Sequence, residues 1–438
     1  MNTICLVVDR LNLSYLGCYG NSWIATPAID TLAMESLVLD QAIVDTPSLP
    51  ELVRSFWQGR HAISARGRSD DAVSLPGLLQ SRGVRTALLT DDPEIARHPL
   101  ADGFGEKVLV ELAPAAASAV TEDETHFARF FAVALEWLDS ADEPFFLWLH
   151  TRGMGAPWDA PWGLRERYAD EGDPAPPKFT AVPNRTLSAD EDPDVLLGIR
   201  QAYAAQVSLL DMFVGELTDF LRDSTLADST MLALLSARGM PLGVHGRVGA
   251  AEDGSGDPLD GEVIHTPWLL RLPQQRIPRR DAPEQEARLH HGAALRSQAM
   301  VQPPDLMATM LDWHGGAERL AEIWGRSLLP AARGENAALG DRACVVSPTG
   351  ERVVRTPAWR LRVLPREDES EGAVAMSEPC VELYVKPDDR WEINEVSDRC
   401  PTVIQPLLKV LADFETVCAA GRPEELAPLE TVLIEGLG

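Results

Sequence analysis

The chain opens on an apolar run, Ile4-Cys5-Leu6-Val7-Val8, that stops at Asp9-Arg10. Five consecutive apolar residues ended by a charge predict a strand buried on both faces, with a carboxylate at its C-terminal end. The pattern recurs at Phe145-Phe146-Leu147-Trp148-Leu149, which ends in His150, and from Thr230 to Leu235, which ends in Ser236-Ala237-Arg238-Gly239. Leu75 to Gly83 predicts a short helix closed by a left-handed glycine, and Val84 to Thr90 predicts the strand after it. Helical spacing carries Val195, Ile199, Tyr203, Val207, Leu210, Val214, Leu217 and Leu221 on one face of a helix that runs to about Arg222. Asp305 to Trp313 predicts an amphipathic helix, and Thr121 with Glu124 has capping-box spacing before a helix that runs to about Ser140. Open α/β sheets bind ligands at the carboxyl ends of their strands, so Asp9, His150 and Arg238 mark the edge to watch.

Between Gly153 and Asp194 the pattern lapses into a long Pro-, Gly- and acid-rich loop, of the kind that covers sites. Trp158 and Trp162 in it stand open as substrate platforms or as surface packing. Asn336 to Arg342 is a polar link. Beyond it, Ala343 to Val346, Arg352 to Arg355, Arg360 to Val363 and Val381 to Val385 predict short strands, and Pro401 to about Ala419 predicts a helix. The expected architecture is therefore α/β: a large mixed, mostly parallel sheet flanked by helices over 1–335, with a smaller C-terminal α+β subdomain over 343–438. No internal repeat is present.

Composition narrows the partners more than the fold. The chain has 438 residues, too many for a single core of ordinary size, and its 45% hydrophobic and 24% charged content is that of a globular protein. A net charge of −28 argues against nucleic acid and anionic membrane surfaces. The six cysteines, Cys5, Cys18, Cys344, Cys380, Cys400 and Cys418, lack metal-site spacing and are expected as reduced thiols. No basic stretch precedes a long apolar one at the start and no run is long enough to span a bilayer, so a cytoplasmic location is expected.

Several motifs, taken in order, carry a family likeness. They are Asp9, Leu16-Gly17-Cys18-Tyr19-Gly20-Asn21, Thr26-Pro27-Ala28-Ile29-Asp30-Thr31-Leu32-Ala33, Ser48-Leu49-Pro50-Glu51, Gly59-Arg60-His61, His245-Gly246 and Gly325-Arg326-Ser327-Leu328-Leu329-Pro330. Their order and wording resemble the sulfatases, a branch of the alkaline phosphatase superfamily, and the likeness continues through Glu382-Leu383-Tyr384 and Glu392-Ile393-Asn394-Glu395-Val396. The resemblance implies an alkaline-phosphatase-like sheet and sulfate-ester hydrolysis. It also implies a divalent cation, usually calcium, held by two adjacent Asp after the first strand and an Asp-Asn or Asp-His pair after a later one. The nucleophile it implies is a formylglycine made from Cys or Ser in the pattern Cys/Ser, any residue, Pro, Ser, Arg.

The chain departs from that pattern where the chemistry lies. The cation positions hold Asp9-Arg10 and Ala237-Arg238, so three of the four ligands are absent and the local charge turns from −3 to +1. An arginine about 4 Å from a cation opposes it by roughly 4 kcal/mol per unit charge, and arginine does not escape by deprotonating. Calcium is not expected, and Asp9 is the only metal-ligand position retained. Ser48-Leu49-Pro50 keeps the first half of the nucleophile motif, but Glu51-Leu52 replace Ser-Arg and Arg54 arrives two positions late, so formylglycine is not expected either. The family's lysine after the His-Gly turn maps near Ala250, and its second histidine maps near Gly153.

Three readings follow. In the first the chain is a degenerate sulfatase that keeps the fold and binds a sulfated or phosphorylated small molecule or glycan, with Arg10, Arg54 and Arg238 as anion-binding groups. In the second it is an active sulfuric ester hydrolase or a metal-independent esterase using Ser48 with His150 or His245. In the third it is a structural protein with Arg10 and Arg238 locked in internal salt bridges, to partners such as Asp9 and Glu51, and no open pocket. His150 is expected as a hydrogen-bonded strand end or as a general base. No protein partner is legible.

Overall fold

The computed structural model describes residues 1–64, 73–112, 117–249, 256–279, 282–290, 294–365 and 379–437. Its centre is an eight-stranded sheet in the order Leu295–Val301, Leu37–Ala42, Trp268–Arg271, Thr230–Ser236, Asn2–Val8, Phe145–Thr151, Arg85–Thr90, Glu106–Leu109. Only Trp268–Arg271 runs against its neighbours, so the sheet is mixed and mostly parallel, as expected.

The runs of unbroken hydrophobicity become the three central strands, each buried along its whole length. Alternation along the first strand divides two cores. Ile4, Leu6 and Val8 face the long helix Pro193–Asp223, while Cys5 and Val7 face the helices Leu49–Gln58 and Pro303–Trp313. Register then sets the functional edge, because Val8 pairs with Thr151 on one side and with Ser236 on the other. The next residues of all three strands emerge together.

The C-terminal part forms an antiparallel sheet, Ala343–Val346, Arg352–Arg355, Trp359–Val363 and Val381–Val385, with the helix Pro401–Ala420 and a third core of its own. Gly83 closes its helix with φ of 80° as the sequence predicts.

Two expectations need correction. The helix expected after a Thr121 capping box begins at His126 instead. Its cap is Thr125, whose hydroxyl accepts from the Ala128 amide at 3.3 Å, while Glu122–Glu124 is a single 3-10 turn. The loop expected without structure over 153–194 contains the helix Trp162–Glu166 and the strand Asn184–Thr186. Trp158 in it is no platform. Its ring is fully buried and donates to the Met154 carbonyl at 2.9 Å. Ala250, where the family's lysine maps, lies outside the described residues.

Candidate functional site

Asp9, Arg152 and Arg238 leave the carboxyl ends of three adjacent strands and meet beside one cavity of about 670 Å³, within the range typical of ligand sites. The Arg238 guanidinium grips Asp9 in a bidentate pair, Nε to Oδ1 at 3.1 Å and Nη2 to Oδ2 at 3.0 Å. Its Nη1 donates to the Pro47 carbonyl at 2.9 Å, which ties the pair to the turn that carries Ser48. Arg10 adopts φ of 65°, a left-handed conformation that costs a non-glycine residue on the order of 1–3 kcal/mol. Tyr203 holds that turn, its hydroxyl donating to the Arg10 carbonyl and accepting from the Asn12 amide.

The turn carries the Arg10 side chain to Asp257, Nη1 to Oδ2 at 2.5 Å, and leaves its Nε 3.9 Å from Asp9. All four charged groups are buried. Asp257 adds a carboxylate to the charge count made from Asp9, Arg10 and Arg238, so the cluster is neutral rather than +1. Burial would raise the Asp9 carboxyl, but the charges of Arg238 and Arg10 outweigh it and hold the pKa below its ordinary value.

A divalent cation does not fit this donor set. Both oxygens of Asp9 accept from Arg238, Ala237 offers no donor, and two guanidinium groups surround the carboxylate that a metal would need. Backbone geometry also explains the missing second histidine. Gly153 has φ of 54°, and a Cβ there would lie 2.4 Å from the Asp9 carbonyl oxygen. The chain packs backbone against backbone at that point, with the Met154 amide donating to the same carbonyl at 3.0 Å.

The remaining expected residues spread out. Ser48 is the half-buried N-cap residue of Leu49–Gln58, without a side-chain cap bond, and it does not line the cavity. Arg54 lies on that helix and pairs with Glu51 at 3.6 Å. His150, expected as a hydrogen-bonded strand end or as a general base, is buried, and neither ring nitrogen has a hydrogen-bond partner among the described residues, so the hydrogen-bonded reading is corrected. Burial, assisted by Arg238, keeps it below the usual histidine range against the pull of Asp92 and Asp9. His245 is exposed and lines a different cavity, together with Glu262, Arg360 and Glu392.

Asp92, Glu94, Arg152 and Asn184 line the cavity and were not anticipated. The strand-end rule applied to Arg85–Thr90 would have flagged Asp92, as it would Arg152 two residues past His150. Asp257 had no such signal, since it follows a Gly- and Asp-rich stretch and meets Arg10 across 247 positions.

Comparisons with known proteins agree with this architecture. The chain is 26% identical over 358 residues to the N-sulphoglucosamine sulphohydrolase of Homo sapiens, covering 73% of this chain and 63% of that protein. It is also 26% identical over 308 residues to the human iduronate 2-sulfatase, covering 56% of each. The chain thus spans less than two thirds of the length of these relatives. Among solved structures, a protein in complex with its substrate D-glucosamine-2-N,6-O-disulfate superposes with a TM-score of 0.73 at 16% identity, covering 97% of this chain and 99% of that one. The phosphonate monoester hydrolase of Agrobacterium radiobacter superposes with a TM-score of 0.69 at 16% identity, covering 96% of each, and at such identities the likeness is one of fold. The family model Sulfatase matches residues 1–316, and the chain belongs to the sulfatase family.

Proposed function

We propose that this chain is a non-hydrolytic sulfatase that holds a sulfated or phosphorylated ligand in the cavity beside Asp9. The observation that carries the reading is the bidentate Arg238–Asp9 pair, which puts a guanidinium on the one carboxylate retained from the family's cation site. Without a Lewis acid and without the Ser-Arg half of the nucleophile motif, sulfate-ester cleavage lacks both its electrophilic stabilisation and its nucleophile.

The cavity supports binding better than it supports chemistry. Arg10, Arg152 and Arg238 share its wall with Asp9, Asp92 and Glu94, and Asn184 adds an amide. Such a wall offers donors and acceptors in equal measure, which suits the hydroxyl groups of a sugar, and its guanidinium groups match one sulfate or phosphate. A sulfated amino sugar, the class named for a structural relative, is the first ligand to try.

A second reading keeps hydrolysis. Ser48 stands at the N-terminus of a ten-residue helix beside the turn bonded to Arg238, which favours an esterase that needs no metal. One experiment separates the two: turnover of an aryl sulfate and an aryl phosphate by purified protein and by Ser48→Ala, with metal analysis of both. Equal, background-level turnover and substoichiometric calcium are expected. Turnover that disappears in Ser48→Ala, or one calcium per chain, overturns the non-hydrolytic reading.

A further inference from the structure

A second cavity lies where the C-terminal sheet meets the main domain, and it shares no lining residue with the one beside Asp9. Four cationic side chains converge on it: Arg355, Arg360, Lys386 and Arg390. Glu392 and Glu262 are the carboxylates among its lining residues. Glu392 is already committed to Lys386 at 3.0 Å and Arg360 at 3.2 Å, and it accepts from the Gly261 amide at 2.9 Å. Both oxygens of Glu262 accept backbone amides, from Leu242 and Val244. Even with both acids ionised, the lining carries an excess of two positive charges.

Two of these cations are incompletely satisfied. Arg355 is 8% exposed and Arg360 is 2% exposed. Arg355 donates Nη2 to Gln41 at 3.0 Å and Arg360 donates Nη2 to the Leu259 carbonyl, yet the Nε of Arg355 and the Nη1 of Arg360 have no hydrogen-bond partner among the described residues. Buried guanidinium donors without acceptors are costly, and native structures rarely leave them so. The positive field shows in the neighbours: burial first, and then the charge of Arg355, holds His265 down at about 4.

The space has the size of one small oxyanion. Its volume is about 40 Å³, where one water needs roughly 10–15 Å³. It opens into a groove of about 600 Å³ through Ser14, Glu262, Arg390 and Trp391, and the groove displays two exposed indoles, Trp23 at 42% and Trp391 at 45%. A cation is the wrong occupant. His245, Asp260 and Glu392 bring ligand atoms within 4.8 Å of one another, but Asp260 is paired with Arg362, and Glu392 with Arg360 and Lys386.

We infer that this junction is a second, independent oxyanion site, which takes one sulfate, phosphate or carboxylate group of a ligand whose uncharged remainder lies against Trp23 and Trp391. Arg355 and Arg360 supply the unsatisfied donors, and Arg390 closes the mouth. The site goes beyond the ligand proposed for the Asp9 cavity and stands without it.

The test is calorimetric titration of the full chain with sulfate, phosphate and acetate at constant ionic strength in sodium chloride. At least one of the three anions is expected to bind. Arg355→Gln is expected to weaken it tenfold or more, and Arg390→Gln, an exposed change that spares the fold, at least threefold. Arg152→Gln, in the other cavity, is expected to leave unchanged the affinity that Arg355→Gln weakens, whatever it does to binding at its own cavity. Preference for the tetrahedral anions points to a sulfate or phosphate ester as the natural group, and preference for acetate points to a sugar acid. Binding that is absent for all three, or indifferent to both Arg355→Gln and Arg390→Gln, overturns the inference. Binding lost only in Arg152→Gln also overturns it, while supporting the Asp9 cavity.

Discussion

Arg238 commits three nitrogens to two partners, the Asp9 carboxylate and the Pro47 carbonyl, in a place with 1% exposure. Replacing it by alanine strips a buried carboxylate of its bidentate partner and leaves it with Arg10, 3.9 Å away, and breaking such pairs costs about 3–5 kcal/mol. Arg238→Ala should therefore lower stability by that amount in chemical denaturation, and Asp9→Asn/Arg238→Ala should lose less than the sum of the single changes. Additive losses would show that the pair is not coupled. The pH dependence has a definite sign, because Asp9 is held below its ordinary pKa: its stabilisation is present above the unfolded value near 3.9 and is lost as pH falls through the folded one. Asp9 and Arg238 were both legible as strand-end residues. Their bond was legible as one alternative, arginines locked to Asp9 and Glu51, but spacing does not say which carboxylate, Asp9 or Asp257, a given arginine takes.

Elements were legible where one period dominates. The helix Pro193–Asp223 and the three central strands fall within two residues of their expected bounds, since burial on one face or on both leaves a plain pattern. Element starts were harder, because a cap is one hydroxyl among several candidates. Thr121 has the capping-box spacing, but the Glu124 carboxylate accepts from the Val120 amide at 3.1 Å, and the helix takes Thr125 instead. Thr125→Ala should cost about 1 kcal/mol, while Thr121→Ala should stay within about 0.5 kcal/mol of wild type. Denaturation midpoints of the two variants decide between the caps, and equal losses would put the helix start back at Thr121. The long loop lines the Asp9 cavity, as a covering loop would, but the short elements in it were missed for a related reason. Trp158 and Arg165 bury themselves through bonds to backbone carbonyls, at Met154 for Trp158 and at Pro177, Phe179 and Trp158 for Arg165, and such bonds leave no periodic trace in a sequence.

For the whole molecule, fold and chemistry separate: the sheet, the two flanking helix layers and the C-terminal subdomain match the family, while at the strand edge Asp9 is bound by Arg238 in a cluster of zero net charge. The junction that joins the two parts is dense in buried charge, with Arg362 held between Asp260, Glu351 and Glu382, and it makes stability respond to pH as a single property of the chain. Burial pushes the Glu262 carboxyl up from 4.5 to about 7, so its stabilisation is fully present below about 4.5 and is lost as pH rises through about 7. Burial pulls His265 and His314 down to about 4, so theirs is present above about 6.5 and is lost as pH falls. The two trends oppose each other between about pH 4.5 and 6.5. Glu262→Gln removes only the first. Gln keeps one acceptor for the Leu242 or Val244 amide, and whatever it loses at the other is the same at every pH. The histidine contributions cancel in the difference between the two proteins, so from pH 5.5 to pH 8 the wild type should lose about 2 kcal/mol relative to the variant. Parallel stability curves for the two, measured by denaturant unfolding across that range, would show that Glu262 ionises normally and that the junction carries one more full negative charge at neutral pH.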